Sequence, residues 1–349
     1  MASDPKAEGF EITETIVVAA ARGRLDLVAV LLERGEDPNT VNDIGTSALH
    51  SAAKRNYWDI ARLLLEHHAI PGIQDGNNET PLQFAVRAGH KQIVTLLLEC
   101  DPSIGDNKDA AKQRELHINL RIAALLGHTE IAKLLLDQKA PTLSEANYET
   151  ALHLAAKKGH HDVCDLLLKH DLNMDRSLWS RMTGPSLAFD TKDSKGNTPF
   201  SYAVQNGFEK TVAVFLHIYP KLGQDCDRER EPLFHKAITL GNIEVAQVFL
   251  KHGTDVEMKG RNGNRALHRA IQAMGFNGRS VEATKEMIRF LIESGASANS
   301  RNADGLTPDC MTNDPKIRTL LRNYMKTQSK SDSMKIASKA LAPPPEYKS

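Results

Sequence analysis

A pattern that returns about every 33 residues constrains this chain more than any single residue in it. A short turn marks each return, at Gly23, Asn56, Gly89, Gly127, Gly159, Gly207, Gly241 and Gly275, at intervals of 33, 33, 38, 32, 48, 34 and 34 residues. Before the turn lies a short Ala-rich segment, as in "ALHSAAKRN", "PLQFAVRAG" and "ALHLAAKKG". After it comes an amphipathic run ending in a bulky pair: Leu31-Leu32, Leu64-Leu65, Leu97-Leu98, Leu135-Leu136, Leu167-Leu168, Phe215-Leu216, Phe249-Leu250 and, further from its turn, Leu291-Ile292. Each unit therefore reads as short helix, tight turn, longer helix, loop. One such unit cannot bury its apolar face alone, and stacking on a neighbour buries it. The alanines of the first helix (Ala52, Ala85, Ala123, Ala155, Ala203, Ala237, Ala270) allow close approach, and the bulky pairs fill the space between repeats. Glycine at the turn takes the positive φ that ends the first helix, with asparagine the next-best residue at 56.

The segments "TPLQFAVRAGH", "TALHLAAKKGH" and "NTPFSYAVQNG", with the endings "LLERGEDPNT" and "FLKHGTDVEM", resemble the ankyrin repeat. The resemblance implies an all-α fold with short β-hairpin-like finger loops, a solenoid of about eight to nine repeats. It divides the chain into an N-terminal arm (1–12), a repeat array (13–324) and a disordered tail (325–349) rich in Ser, Lys and Pro. The first unit begins directly as a helix and the last, "DGLTPDCMTNDPKIRTLLRNYMK", turns polar; both are expected to act as caps.

The stretch from Glu149 to His170 holds four histidines and a cysteine, which raises the question of a metal or catalytic cluster. Slot by slot, the cluster dissolves. His153 aligns with His50, Gln83, Arg121, Ser201, His235 and His268; His160 with Tyr57, His90, His128, Phe208, Asn242 and Phe276. Cys164 aligns with small apolar residues and is expected in the core, while His161 falls in a variable surface slot and His170 at a helix end. His160 and Cys164 supply at most two ligands where a metal needs three or four. The resemblance gives His50, His153, His235 and His268 a structural role, hydrogen-bonding between neighbouring loops. No metal, cofactor or catalytic group is expected.

Irregularities in the frame mark where individuality sits. About 15 extra residues fall in 171–192, including Trp179, and are expected to lengthen the next finger as an aromatic partner contact or as a packed-down loop. A smaller excess precedes repeat four, which lacks the T-P-L signature. A third irregularity, "MGFNGRSVEATKE", separates the helices of repeat eight.

Lys plus Arg and Asp plus Glu both number 44, so the net charge of zero argues against a dedicated nucleic-acid binder, and no apolar run reaches membrane-spanning length. The four cysteines are widely spaced and point to a reducing compartment, cytoplasm or nucleus. What the resemblance implies is a monomeric protein-binding scaffold or adaptor whose partner lies along a concave face of fingers and first-helix ends. The residues it assigns to that face include Lys54, Arg55, Arg87, Lys157 and Lys158 on the helices and Asn147, Glu149, Lys195, Arg228 and Arg261 on the fingers, with Trp179 from the insertion. No acid occupies the helix positions, which favours an acidic partner. Pro344, Pro345 and Tyr347 form a P-P-x-Y motif, the ligand of a WW domain. The alternative is an enzyme or small-molecule binder on the same frame, its pocket closed by 171–192.

Overall fold

The computed structural model describes the backbone of residues 14–101, 110–143, 149–173, 189–276 and 280–340, and their side chains except at 173, 275, 276 and 331–340. Two compact units make up the chain. The first comprises Met1–Ala146, Thr150–Ala155 and Lys169–Met174; the second comprises Asn147–Glu149, Ala156–Leu168 and Asp175–Ser349.

The expected helix pairs are present. In chain order they are α1 (Ile16–Ala21) and α2 (Leu25–Glu33), α3 (Ala48–Arg55) and α4 (Trp58–Glu66), α5 (Pro81–Ala88) and α6 (Lys91–Cys100), α7 (Ala110–Leu126) and α8 (Thr129–Asp137), then α9 (Ala151–Lys158) and α10 (His161–Asn173). They continue with α11 (Pro199–Gln205) and α12 (Glu209–Ile218), α13 (Leu233–Leu240) and α14 (Ile243–Lys251), α15 (Ala266–Phe276) and α16 (Val281–Glu293), and end with α17 (Pro315–Ala340). The fold is all-α, and the described residues hold no sheet, only the isolated bridges Val41 to Ser47 and Cys226 to Pro232.

The core follows the repeat. Ala52, Ala85, Ala123, Ala155, Ala203, Ala237 and Ala270 are fully buried. The first member of each bulky pair (Leu31, Leu64, Leu97, Leu135, Leu167, Phe215, Phe249, Leu291) is buried; the second is buried too at Leu32, Leu98, Leu136, Leu168 and Leu216, and half-exposed at Leu65, Leu250 and Ile292. A helix turns 100° per residue, so two adjacent residues cannot both point at the same neighbour. Cys164 lies in the core as its slot requires, and burial pushes its thiol far above the ordinary range.

At the turns a second constraint appears. Gly159 has φ +79°, and a Cβ there would stand 2.7 Å from Cδ1 of Phe208, the residue after the next turn in sequence. The same relation holds between Gly89 and His128, at 2.9 Å. The residue after the turn thus covers the glycine of the repeat before it at Gly23 (Tyr57), Gly89, Gly159 and Gly207 (Asn242). Where Asn56 stands in place of that glycine, the His90 ring bonds instead to the Lys54 carbonyl through Nε2 at 3.2 Å.

Five described fingers are closed by a pair of backbone hydrogen bonds and locked by one side chain, and the finger that opens at Gly260 has the backbone pair alone. Asn42, Asp75, Asp193, Asp227 and Asn302 each donate their N–H to the carbonyl four residues on. Their Oδ1 atoms accept from the backbone N–H groups two and four residues ahead; in Asp75 these are Asn77 at 2.8 Å and Glu79 at 2.9 Å. The residue three ahead, Gly45, Asn78, Gly196, Arg230 or Gly305, takes positive φ. Neighbouring fingers meet backbone to backbone: Gly76 N–H donates to Ile44 O at 3.1 Å, and Ala303 N–H to Asn262 O at 2.9 Å.

The departures are partly absorbed into helix. In repeat four the place of a finger, residues 113–117, is the first half of α7. Lys112 on that helix pairs with Asp101 at 2.7 Å and Glu115 at 3.1 Å, and Glu115 accepts from the Thr80 hydroxyl at 2.7 Å. The described part of the extra chain prolongs α10 to Asn173, and the tip of the next finger has the regular form from Asp193 to Asn197. Residues 174–188, with Trp179, lie outside the described residues, as do the arm 1–12 and the Pro344-Pro345-Glu346-Tyr347 motif. The stretch 325–340, expected to be disordered, is helical as the continuation of α17. Its first turn is held by tertiary bonds: Gln328 Oε1 accepts from Ala298 N at 2.9 Å, and its Nε2 donates to Ala296 O at 2.9 Å. Polar composition hid this, because the tie is made by one glutamine and not by an apolar face.

Candidate protein-binding surface

In repeats two, five and eight the start of the first helix is built around a cap that involves the questioned histidines. Ser47 Oγ lies 2.9 Å from His50 Nδ1, and the same nitrogen accepts from Ser47 N–H at 3.2 Å. His50 Nε2 lies 2.9 Å from the carbonyl of Glu79 in the next finger. Nδ1 therefore carries the lone pair and Nε2 the proton, and a side chain three residues into the helix does the work of the glutamate in a capping box. Thr150 and His153 repeat the cap at 2.8 Å and 3.2 Å. His268 Nε2 reaches Leu306 O at 3.1 Å. Burial holds His50 and His268 below the usual imidazole range, against the raising effect of those carbonyls.

Among the repeats that vary the theme, two do so in an instructive way. Gln83 takes the histidine slot in the repeat that precedes the fingerless one, and its Oε1 accepts from Thr80 N–H at 2.9 Å. In repeat seven Pro232 occupies the capping position and offers neither hydroxyl nor N–H. His235, expected to bridge loops like its counterparts, turns Nδ1 to Glu231 Oε1 at 2.8 Å, and its Nε2 has no partner among the described residues. Glu231 Oε2 also takes Arg269 at 2.5 Å and the N–H of Arg261 at 3.1 Å. Burial would raise Glu231, but the bonds from His235 and Arg261 and the Arg269 charge outweigh it and hold the carboxyl low. Gly260 is the residue that fits beside this group, since a Cβ there would stand 2.5 Å from Glu231 Oε1.

The expected basic surface is partly neutralised from within. Arg87 pairs with Glu79 at 2.5 Å, and Lys157 with Glu149 at 2.7 Å. Both pairs are eight residues apart, from the last finger position to the end of the first helix. Gln205 Nε2 and Asn197 Oδ1 form the neutral version at 3.3 Å. The premise that these cations lack acids holds only along the helix; the fingers supply the carboxylates. A spacing of eight between Glu and Lys or Arg was the sequence signal. Lys157 also lies 5.1 Å from the centroid of the Tyr202 ring, whose hydroxyl donates to Asp193 Oδ2 at 2.6 Å. Burial and that carboxylate push the Tyr202 hydroxyl up to about 12.

The remaining assigned residues differ in their freedom. Lys54, Arg55, Lys158 and Lys195 are exposed, and none of their charged groups has a partner among the described residues. Arg261 pairs with Glu229 at 3.3 Å, and Arg228 donates to Lys195 O at 3.4 Å. Asn147 lies outside the described residues. No three His, Cys, Asp or Glu side chains come together among the described residues, and no helix there is long and apolar enough to cross a membrane.

A family profile described as ankyrin repeats matches the chain in three copies, at residues 16–108, 120–230 and 216–302. The chain belongs to the ankyrin-repeat family, whose members use such repeats as protein-interaction scaffolds. Among curated proteins it is similar to the mouse B-cell lymphoma 3 protein homolog, 25% identical over 226 residues, covering 62% of this chain and 45% of that one. Potassium channel AKT2/3 of Arabidopsis thaliana is 28% identical over 193 residues, covering 55% and 21%. Mouse protein phosphatase 1 regulatory subunit 27 is 27% identical over 93 residues, covering 27% and 54%. The chain thus spans about half the length of these relatives, or less.

Proposed function

We propose that the chain is a protein-binding scaffold that receives an acidic partner segment on its fingers and first-helix ends. The observation that carries this reading is the set Lys54, Arg55, Lys158 and Lys195: exposed cations at the assigned positions, with no internal counter-ion among the described residues. Arg87 and Lys157, already paired, contribute less. Exposed charges of one sign steer association and select partners more than they add affinity. The Pro344-Pro345-Glu346-Tyr347 motif would recruit a WW-domain protein, making the chain an adaptor, and cytoplasm or nucleus is the proposed setting.

Crosslinking with mass spectrometry in cells tests both ends of the chain. It compares the intact protein with Lys54→Glu/Arg55→Glu, Lys158→Glu/Lys195→Glu and Tyr347→Ala. The expected result is that one set of proteins is lost with a basic-surface variant and a WW-domain protein is lost with Tyr347→Ala. Partner sets indifferent to both basic-surface variants would overturn the surface reading.

A further inference from the structure

Repeats two, three and five share one local frame. In each, the residue before the helix cap stands eight before a cation at the helix end: Thr46 and Lys54, Glu79 and Arg87, Glu149 and Lys157. Thr46 N–H donates to Asn42 Oδ1 at 2.9 Å, as Glu79 N–H does to Asp75 Oδ1 at 2.9 Å. Ser47 and His50 form the same cap as Thr150 and His153. The finger lock in repeats two and three, and the cap in all three, fix the backbone beside the pair, so Lys54 occupies the position held by Arg87 and Lys157.

What differs is the partner. Glu79 and Glu149 reach their cations at 2.5 Å and 2.7 Å. Thr46 carries only a short hydroxyl side chain and no charge. Asp43, on the same finger, forms no ion pair with Lys54 among the described residues, and Arg55 beside it is likewise exposed and unpaired. Ile44, two residues before Thr46 on the same finger, is exposed where other fingers carry Asn77, Lys195 or Glu229.

We infer that repeat two holds an open carboxylate site, in which Lys54 receives an aspartate or glutamate side chain of an acidic partner segment where repeats three and five supply their own glutamate. This rests on the protein-binding reading above and narrows it to one repeat and one contact. An ion pair that the chain closes internally in two repeats is left to be closed from outside in a third.

The test uses the full chain and fluorescein-labelled hexaglutamate, with labelled hexaglutamine as control, read by fluorescence anisotropy at low salt. Thr46→Glu places the missing carboxylate in the site. It is expected to weaken hexaglutamate binding about fivefold, the upper range for one exposed ion pair. Thr46→Gln is expected to bind as the parent does. Lys54→Gln, at an exposed helix end, is expected to lose as much as Thr46→Glu, and the double variant no more than either. Hexaglutamate bound no better than hexaglutamine, or bound equally by the parent and Thr46→Glu, would overturn the inference. If Thr46→Glu leaves binding unchanged while crosslinked partners still depend on Lys158 and Lys195, the open site fails and the scaffold reading stands. If those partners are also indifferent, both fail.

Discussion

The Phe208 ring lies where a side chain on Gly159 would begin, its Cδ1 only 2.7 Å from the ideal Cβ position. Gly253 shares a positive φ, +84°, but has nothing within 4 Å of that position. Alanine at either site bears the left-handed backbone cost, about 1–2 kcal/mol. Gly159→Ala must also displace the ring, so it is expected to cost at least about 1 kcal/mol more than Gly253→Ala. Urea denaturation of the two variants checks this, and equal midpoints would show that the ring gives way freely.

Replacing Thr150 by alanine removes the hydroxyl that accepts from His153 N–H and lies 2.8 Å from His153 Nδ1. The expected loss is about 1–2 kcal/mol, while Thr150→Ser retains most of the stability. Thermal melts of both variants decide whether the hydroxyl or the methyl group matters.

Acidification should loosen the array before its carboxylates titrate. Folding holds the pKa values of His50 and His268 below the ordinary imidazole value of about 6.5, so between that value and the lower folded one the unfolded chain binds more protons. Stability therefore rises with pH through this window and falls as pH drops below about 6.5. Chemical denaturation at steps from pH 7 to 5 measures the slope. His50→Gln, which keeps an acceptor for the cap as Gln83 does, is expected to flatten it; an unchanged slope would assign the effect to other groups.

The extent of α17 that contributes to stability can be located by truncation. A chain ending at Lys326 loses both bonds from Gln328 to Ala296 and Ala298 and is expected to be about 1–2 kcal/mol less stable. A chain ending at Lys330 is expected to match the full protein. Equal stability of the two would mean that the array ends before Gln328.

Much of this architecture can be read from spacing alone. The alanine rows, the buried first member of each bulky pair and the core place of Cys164 follow from which face of a helix must meet a neighbour. The finger lock is also legible, as Asp or Asn three residues before a residue in positive φ. The histidines were separable into structural slots, but the behaviour of His235 was not, because it depends on the absence of a hydroxyl at Pro232 rather than on the histidine itself. The pairing of the basic surface is hidden for a similar reason. No acid stands beside these cations along the helices, while Glu79 and Glu149 approach from the fingers. The clasp at Gln328 leaves no periodic trace, since one amide reaching two backbone groups has no pattern to repeat.

The histidine slot has a consequence for how such a chain can be rearranged. His50 and His268 each read a carbonyl on the finger that follows, and Gln83, ahead of a repeat that begins as helix, does not. A repeat therefore carries at one position a statement about its successor. Shuffling or duplicating these modules as interchangeable blocks would set some imidazoles beside helices and some finger carbonyls beside glutamine. The order of repeats is part of the folding information, and a transplanted module would need its histidine slot rewritten for the neighbour it is given.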